Sequence, residues 1–488
     1  MRVRRWKVKL LLKRVAVIVA LILELAVFAG LILYKSSVSK TFAFALRTLS
    51  LFMALWITSR DMKAEFKLSW VFMILVFPVF GGVTYLLFVQ LPGRKKNNEV
   101  LRKETVSGES MPERYLSSFA ETRICDNCLV EYLPSGKAKL ERLIAELENA
   151  GRYIFLEYFI IESGEMWDAV FEVLARKAAG GVEVRLIYDD VGCFMALPDG
   201  YSEKLSECGI KAAVFNSFKP PFKTNVHNRD HRKIVVIDGE CAFTGGINLA
   251  DSYIDKGRKF RRWKDASVLV KGEAAWSLGK MFLKTWDGIT GEQTGYCNYL
   301  PERTAYGSHR AIAYGDSPFD GENVCENLYL NMINFATESL YISTPYLVID
   351  EVMISSICLA AKNGVDVRIM IPEKGDHWFV HVFTRACCEE LLASGVKIYE
   401  YIPGFIHSKV IVADGSLATV GTANLDYRSF NFHYECGLLF SRSDAVEACQ
   451  NDFLDSIACC REMNIHRCRK RGFSRFLSAV LRVFSPLM

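Results

Sequence analysis

Two stretches of this 488-residue chain, HRKIVVIDGECAFTGGIN and HSKVIVADGSLATVGTAN, carry the same polar residues at the same spacing. His231, Lys233, Asp238, Gly245 and Asn248 of the first are matched by His407, Lys409, Asp414, Gly421 and Asn424 of the second, each pair 176 residues apart. A single His-x-Lys would carry almost no information, because a core or surface histidine is the ordinary case. Five positions repeated across one offset demand two copies of one structural unit. Side chains at i and i+2 leave the same face of a strand, so each histidine and lysine are expected to point into one cavity. Ile234–Ile237 and Val410–Ala413 read as core strand. Asp-Gly then makes a turn, and the returning strand passes through glycine to the asparagine.

The flanking sequence repeats as well. RYIFLEYFI, MWDAVFEVLARKAAGG and VEVRLIYDD read as strand, helix and strand, and SLYISTPYLV, MISSICLAAKNG and VDVRIMIP read the same way. ECGIKAAVF is answered by ASGVKIYEY. A period near 185 residues is too long for a solenoid. It predicts two similar layered α/β domains, over 135–315 and 316–488, folded so that their motifs form one active site. The polar stretch 93–134 reads as a linker.

Two imidazoles, two ammoniums and two amides around one pocket suit phosphodiester chemistry. Lysines and amide donors stabilise the charge that develops on phosphorus oxygens without a metal. One imidazole can attack phosphorus while the other protonates the departing alkoxide and later deprotonates the incoming hydroxyl. The catalytic set is therefore His231, Lys233, Asp238, His407, Lys409 and Asp414, with Lys233, Asn248, Lys409 and Asn424 on the phosphate. For the two aspartates, anchoring the turn is an equally good reading. No metal or other cofactor is expected: His227 lies four before His231, but no convincing third ligand accompanies them. Cys125-x2-Cys128 has no second CxxC to complete a zinc site, and the 15 cysteines, with adjacent pairs at 387–388 and 459–460, read as reduced thiols rather than a secreted disulfide framework.

The N-terminal 92 residues read as a membrane anchor of two or three hydrophobic helices, at about 15–34, 41–58 and 68–90, with 41–58 open as a third span or as an interfacial or re-entrant helix. Glu24 interrupts the first, Arg47 sits in the second, and Pro78 with Gly81-Gly82 should kink the third. Basic residues precede the first run (Arg2, Arg4, Arg5, Lys7, Lys9, Lys13, Arg14) and follow the last (Arg94, Lys95, Lys96, Arg102, Lys103). The positive-inside rule places both flanks in the cytoplasm, which two crossings satisfy and three do not. The C-terminal stretch sets Phe473, Phe476, Leu477, Val480, Leu481 and Phe484 near helical spacing among arginines. That pattern fits contact with anionic lipid or a final helix docked on the body.

At NVHNRDHRKIVVIDG, FTGGINLADSY, RRWKD, STPYLVID, GDHWFV and GFIHSKVIVADGSLATVGTANLDYRSFNF the chain resembles the bacterial cardiolipin synthases of the phospholipase D superfamily. The resemblance runs from about residue 41 to the end. It implies two phospholipase D-like domains behind N-terminal transmembrane helices, in a multi-pass protein of the bacterial cell membrane; the two basic flanks and the cysteine usage point to a catalytic body facing the cytoplasm. It also implies condensation of two phosphatidylglycerols to cardiolipin and glycerol through a phosphohistidine. By family roles His231 forms the phosphatidyl-enzyme and His407 is the general acid and base, with exchanged roles allowed by the near symmetry. Glu435 would orient a histidine, and in the first half Glu157 or Asp265 would serve the same purpose. The chain departs from the pattern at NFHYEC, where two residues separate Phe432 from Glu435 in place of a tight Asn-Phe-Glu.

Phosphatidylglycerol and anionic membrane lipid are the partners this reading requires, with Phe222, Trp378, Phe379 and Phe405 as apolar candidates for the pocket mouth. Hydrolysis or another headgroup transfer would use the same residues and differ only in the acceptor. A nuclease would want a broad basic groove, and a net charge of +5 on 488 residues does not ask for one, so nucleic acid is not expected. A catalytically silent scaffold is disfavoured because both motifs keep every polar member.

Overall fold

The computed structural model describes residues 18–26, 29, 37–88, 106–119, 122–217, 227–257, 259–376, 378–468, 480 and 482–487. The chain divides into two compact units, Met1–Lys96 with Arg475–Met488, and Asn97–Ser474.

In the larger unit each repeat builds the same ladder. YIFLEY forms strand Tyr153–Tyr158, buried at all six positions. Helix Glu165–Ala179 returns the chain to strand Glu183–Asp189, which pairs parallel to it, and strand Ile210–Phe215 extends the parallel run. Strand Lys233–Ile237 then enters antiparallel on the other side of Tyr153–Tyr158 and turns at Asp238-Gly239 into Cys241–Gly245. Both turn residues have positive φ, 53° and 73°, which aspartate tolerates and glycine favours. The second repeat sets Ser339–Ser343, Asp366–Pro372 and Lys397–Tyr401 parallel, and joins them to the antiparallel strands Val410–Ala413, Leu417–Gly421 and Glu435–Ser441.

The two ladders are continuous. Strand Cys125–Leu133, paired with Ser267–Lys271, meets strand His309–Asp316, so one fifteen-stranded sheet runs through both repeats. Both seam strands begin their repeats earlier than the sequence suggests. Cys125–Leu133 lies inside the stretch read as linker, which also holds helix Met111–Ser117 behind a Ser110–Glu113 capping box. Strand His309–Asp316 begins seven residues before 316. The irregular burial of CDNCLVEYL, with two exposed residues after Cys125, hides its strand period.

In the larger unit apolar side chains collect in three cores. One belongs mainly to the first repeat, around Trp167, Leu174 and Tyr158, and one mainly to the second, around Leu328, Ile357 and Leu391. Between them a shared core brings Phe155, Phe282 and Trp286 together with Tyr341, Val412 and Phe453. Burying each such large side chain contributes roughly 1.5–3 kcal/mol, so the shared core fixes the two repeats against each other. All fifteen cysteines are free thiols, and most are buried as small apolar groups.

In the smaller unit residues 18–26 and 29 are helical; the other residues of the first hydrophobic run lie outside the described residues. Helix Ser37–Thr58 contains Lys40–Thr58, the one helix among the described residues long and apolar enough to cross a membrane. The third expected span is not one helix. It breaks into Ala64–Val76 and Pro78–Phe88, because Pro78 has no N–H and excludes the carbonyl it would need to face. The Glu24 carboxylate accepts from the N–H groups of Val79 and Phe80 at 2.7 and 3.0 Å. The acid that interrupts the first hydrophobic run thus caps the broken helix. Gly81 is required there, since a Cβ would stand 2.7 Å from the Met73 carbonyl oxygen. At the C-terminal end Phe484 packs edge-on against Phe72, at 5.7 Å between ring centres; Phe473, Phe476, Leu477 and Leu481 lie outside the described residues.

Candidate active site

Each motif histidine sits just ahead of its strand, on a short pairing between repeats. The His231 N–H donates to the Tyr434 carbonyl at 3.0 Å, and the His407 N–H donates to the Lys264 carbonyl at 2.7 Å. Tyr434 immediately precedes Glu435, and Lys264 immediately precedes Asp265. The segment that presents one repeat's histidine is therefore paired with the segment that presents the other repeat's acid.

The side chains repeat this crossing. His231 Nδ1 lies 3.0 Å from both oxygens of Glu435. His407 Nδ1 lies 2.6 Å from Asp265 Oδ2. A carboxylate on Nδ1 fixes the tautomer and leaves Nε2 for substrate. The Thr422 hydroxyl donates to the second Glu435 oxygen. Burial works against the Glu435 charge, but His231 outweighs it, and His433 adds to the effect, holding the carboxyl well below its usual range. Burial takes His231 down to about 3, opposed by Glu435 and reinforced by Lys233. His407 falls to about 4 through burial and Lys409, against Asp265. Both imidazoles are neutral at neutral pH.

The lysines lie beneath the histidines. Lys233 Nζ donates to the His231 carbonyl and Lys409 Nζ to the His407 carbonyl, and Lys409 Nζ also lies 2.9 Å from His407 Nδ1. Burial lowers Lys233 to about 8 and Lys409 to about 7. The charge of Lys233 bears on both His407 and Lys409, so the cations of the two repeats share one site. The asparagines are held differently. Asn248 Oδ1 accepts from the Ile160 N–H at 3.2 Å, and its Nδ2 donates to the Tyr253 hydroxyl at 2.6 Å. Asn424 donates its backbone N–H to Ser429 Oγ at 3.1 Å, and its buried Oδ1 has no hydrogen-bond partner among the described residues.

Three expected site residues are elsewhere. Asp238 and Asp414 stand at the far end of their strands, seven residues and roughly 20 Å of extended chain from the histidines. Asp238 accepts from the N–H groups of Gly151, Arg152 and Tyr153, each at 2.8 Å. Asp414 accepts from those of Thr337, Glu338 and Ser339 at 2.8–2.9 Å, and from the Thr337 hydroxyl. Both anchor the turn at the far end of their strand. Glu157 touches neither histidine: it is fully buried beside Asp230, 3.8 Å from Arg232, and burial pushes its carboxyl well above the usual range. Of the three proposed orienting acids, the structure puts Glu435 and Asp265 on histidines, each belonging to the opposite repeat.

Several neighbours had no sequence signal of their own. His433 lies with Nδ1 3.5 Å from Glu435 Oε1 and its ring centre 5.5 Å from that of His231. Counted back from Glu435, the chain reads His433-Tyr434-Glu435, so His433 stands at the asparagine of the Asn-Phe-Glu pattern and the register is intact. The donor atoms of His231, His433 and Glu435 lie within 4.8 Å of one another, spacing that a metal ion could use. An ion there would draw Glu435 away from His231. Lys139, on an apparently polar helix, is fully buried, donates to the Ile247 carbonyl at 2.8 Å and is lowered to about 7 by burial. Around His407, Phe405 stacks on Phe260 and lies tilted against Trp263, at 5.1 and 4.8 Å between ring centres. Phe222, and the side chains of Trp378 and Phe379, lie outside what is described.

One sheet carrying two His-Lys pairs, each imidazole tied to the other repeat's acid, defines a phospholipase D-like phosphatidyltransferase. Residues 143–277 and 329–457 each match the family model described as "Cardiolipin synthase, PLD-like domain", and residues 48–90 match "Phospholipase D-nuclease N-terminal". The chain belongs to the cardiolipin synthase family. It is 35% identical to the cardiolipin synthase of Geobacillus kaustophilus over 464 residues, covering 90% of this chain and 92% of that one. Cardiolipin synthase 2 of Bacillus anthracis is 33% identical, covering 86% of each chain. The crystal structure of phosphatidylserine synthase from Haemophilus influenzae shares the fold, with a TM-score of 0.57 at 14% identity over 74% of this chain and 95% of that one.

Proposed function

We propose that this enzyme transfers a phosphatidyl group from one phosphatidylglycerol to another, giving cardiolipin and glycerol. The reciprocal holding of His231 by Glu435 and His407 by Asp265 supports the reading most directly. It leaves the Nε2 atoms of both histidines for one phosphorus: His231 neutral, and His407 taking up a proton from solvent at Nε2 when the anionic phosphodiester arrives, with Asp265 supporting the imidazolium. His231 Nε2 attacks the phosphodiester, the bond to the glycerol oxygen breaks, and His407 supplies the proton to that oxygen. The resulting imidazolium is stabilised by Glu435. An acceptor hydroxyl then gives its proton to His407 and forms the new P–O bond as the P–N bond breaks. Lys233, Lys409, Asn248 and Asn424 hold the phosphoryl oxygens, and an arriving anion favours the ammonium form that burial disfavours. Residues 1–92 serve as a multi-pass anchor in the bacterial cell membrane, with the catalytic body in the cytoplasm. That orientation follows from the basic residues on both sides of the hydrophobic runs.

Purified enzyme given labelled phosphatidylglycerol should yield cardiolipin and free glycerol. His231→Ala and His407→Ala should each lower that yield on the order of 10³-fold or more. Phosphatidic acid as the sole lipid product, or cardiolipin formation that survives either substitution, would sink the assignment.

A further inference from the structure

Cardiolipin formation places two phosphodiesters near one pocket, the one attacked and the one carried by the acceptor lipid. The two buried lysines and two asparagines serve the first. The second lies one glycerol length away and needs a cation whose charge is not already committed. Most guanidinium groups near the site are committed: Arg229 pairs with Asp189 at 3.3 Å, and Arg232 donates to the carbonyls of Glu435 and Asp316 and faces Glu157.

Arg428 differs. It lies in the one-turn helix Tyr427–Asn431 that follows Asn424, and the helix is clamped to the site at two points. Ser429 Oγ accepts the Asn424 N–H at 3.1 Å, and the Arg428 carbonyl accepts the N–H of His433 at 3.1 Å. Among the described residues no hydrogen bond or ion pair engages its half-buried guanidinium. The nearby Asp426 carboxylate is itself occupied in capping that helix through the Ser429 N–H at 2.7 Å. Burial weighs against the Arg428 charge, Asp426 supports it, and the like charge of Arg229 weighs against it again. An anion bound there would relieve both penalties, and a guanidinium matches phosphate oxygens in a planar two-point contact. The first repeat has no counterpart, because Ser252 stands 176 residues earlier. The otherwise paired site is thus asymmetric at this position, as a reaction with unlike donor and acceptor roles requires.

We propose that Arg428 forms a second phosphodiester subsite, which binds the phosphate of the acceptor lipid. The inference rests on the function proposed above and assigns the acceptor's place within it. Two rates test it, both measured on full-length enzyme in mixed micelles of phosphatidylglycerol: cardiolipin formation, and exchange of labelled free glycerol into phosphatidylglycerol. Both pass through the same phosphatidyl-enzyme, but free glycerol carries no phosphate. In Arg428→Gln the ratio of cardiolipin formation to glycerol exchange should fall at least tenfold, and in Arg428→Lys by less. A ratio within twofold of wild type overturns the subsite. Where Arg428→Gln loses both rates, the Arg428→Lys ratio decides in the same way. Wild-type enzyme that exchanges glycerol yet makes no cardiolipin would instead remove the parent function, and the subsite with it.

Discussion

Lys409 holds its charge weakly in the free enzyme. Burial brings its ammonium from an ordinary 10.5 to about 7, and that of Lys233 to about 8. In the proposed reaction the protonated amine is the form that holds phosphate, so the competent fraction is present below these values and lost as pH rises through them. His231, at about 3, stays neutral across that range and sets no limit there. The kcat/KM for phosphatidylglycerol, which reports groups of the free enzyme, should therefore decline above pH 7, approaching about tenfold per pH unit for loss of one required proton. A profile flat to pH 10 at subsaturating lipid would contradict this. At this scale the sequence distinguished residue types better than their tasks. His231, Lys233, His407 and Lys409 could be chosen because i and i+2 share a strand face. Nothing in a linear motif says that Asp238 turns a chain while Asp265, outside both motifs, holds a histidine. Such assignments depend on where strand ends lie in space.

Among the elements, the Asp-Gly turns join strands that are distant in sequence. Asp414 gathers three backbone N–H groups at the start of Ser339–Ser343. Burial raises its carboxyl, but the N–H groups of Ser339, Glu338 and Thr337, with the Thr337 hydroxyl, more than offset this and hold it below the usual range. Asp414→Asn keeps a residue tolerant of positive φ while removing the charge. It should cost about 1–3 kcal/mol in unfolding free energy, read by chemical denaturation, with turnover per folded molecule within about twofold of wild type. A comparable loss of turnover in fully folded protein would return this aspartate to the chemistry. The parallel strands and the break at Pro78 were legible, since apolar runs bounded by glycine and a proline inside a helix have direct local causes. Strand Cys125–Leu133 was not, and neither was the role of Glu24. The first acquires its burial from the sheet seam, and the second acquires its partners from a helix more than fifty residues away.

For the whole molecule, the anchor and the catalytic body make the same demand: the site must work on lipid headgroups. If the basic flanks set the orientation, protease added to intact spheroplasts should leave the body whole and should digest it only after lysis. Digestion in intact spheroplasts would reverse the assigned side. Within the body, the crossing of histidines and acids has a mechanical corollary. Each imidazole takes both its main-chain position and its ring orientation from the opposite repeat. Sliding one repeat against the other would misalign both nitrogens at once, and no state with one competent histidine would survive the movement. Catalytic failure in such an assembly is all-or-none, and the weakest joint between the halves sets the endurance of the whole.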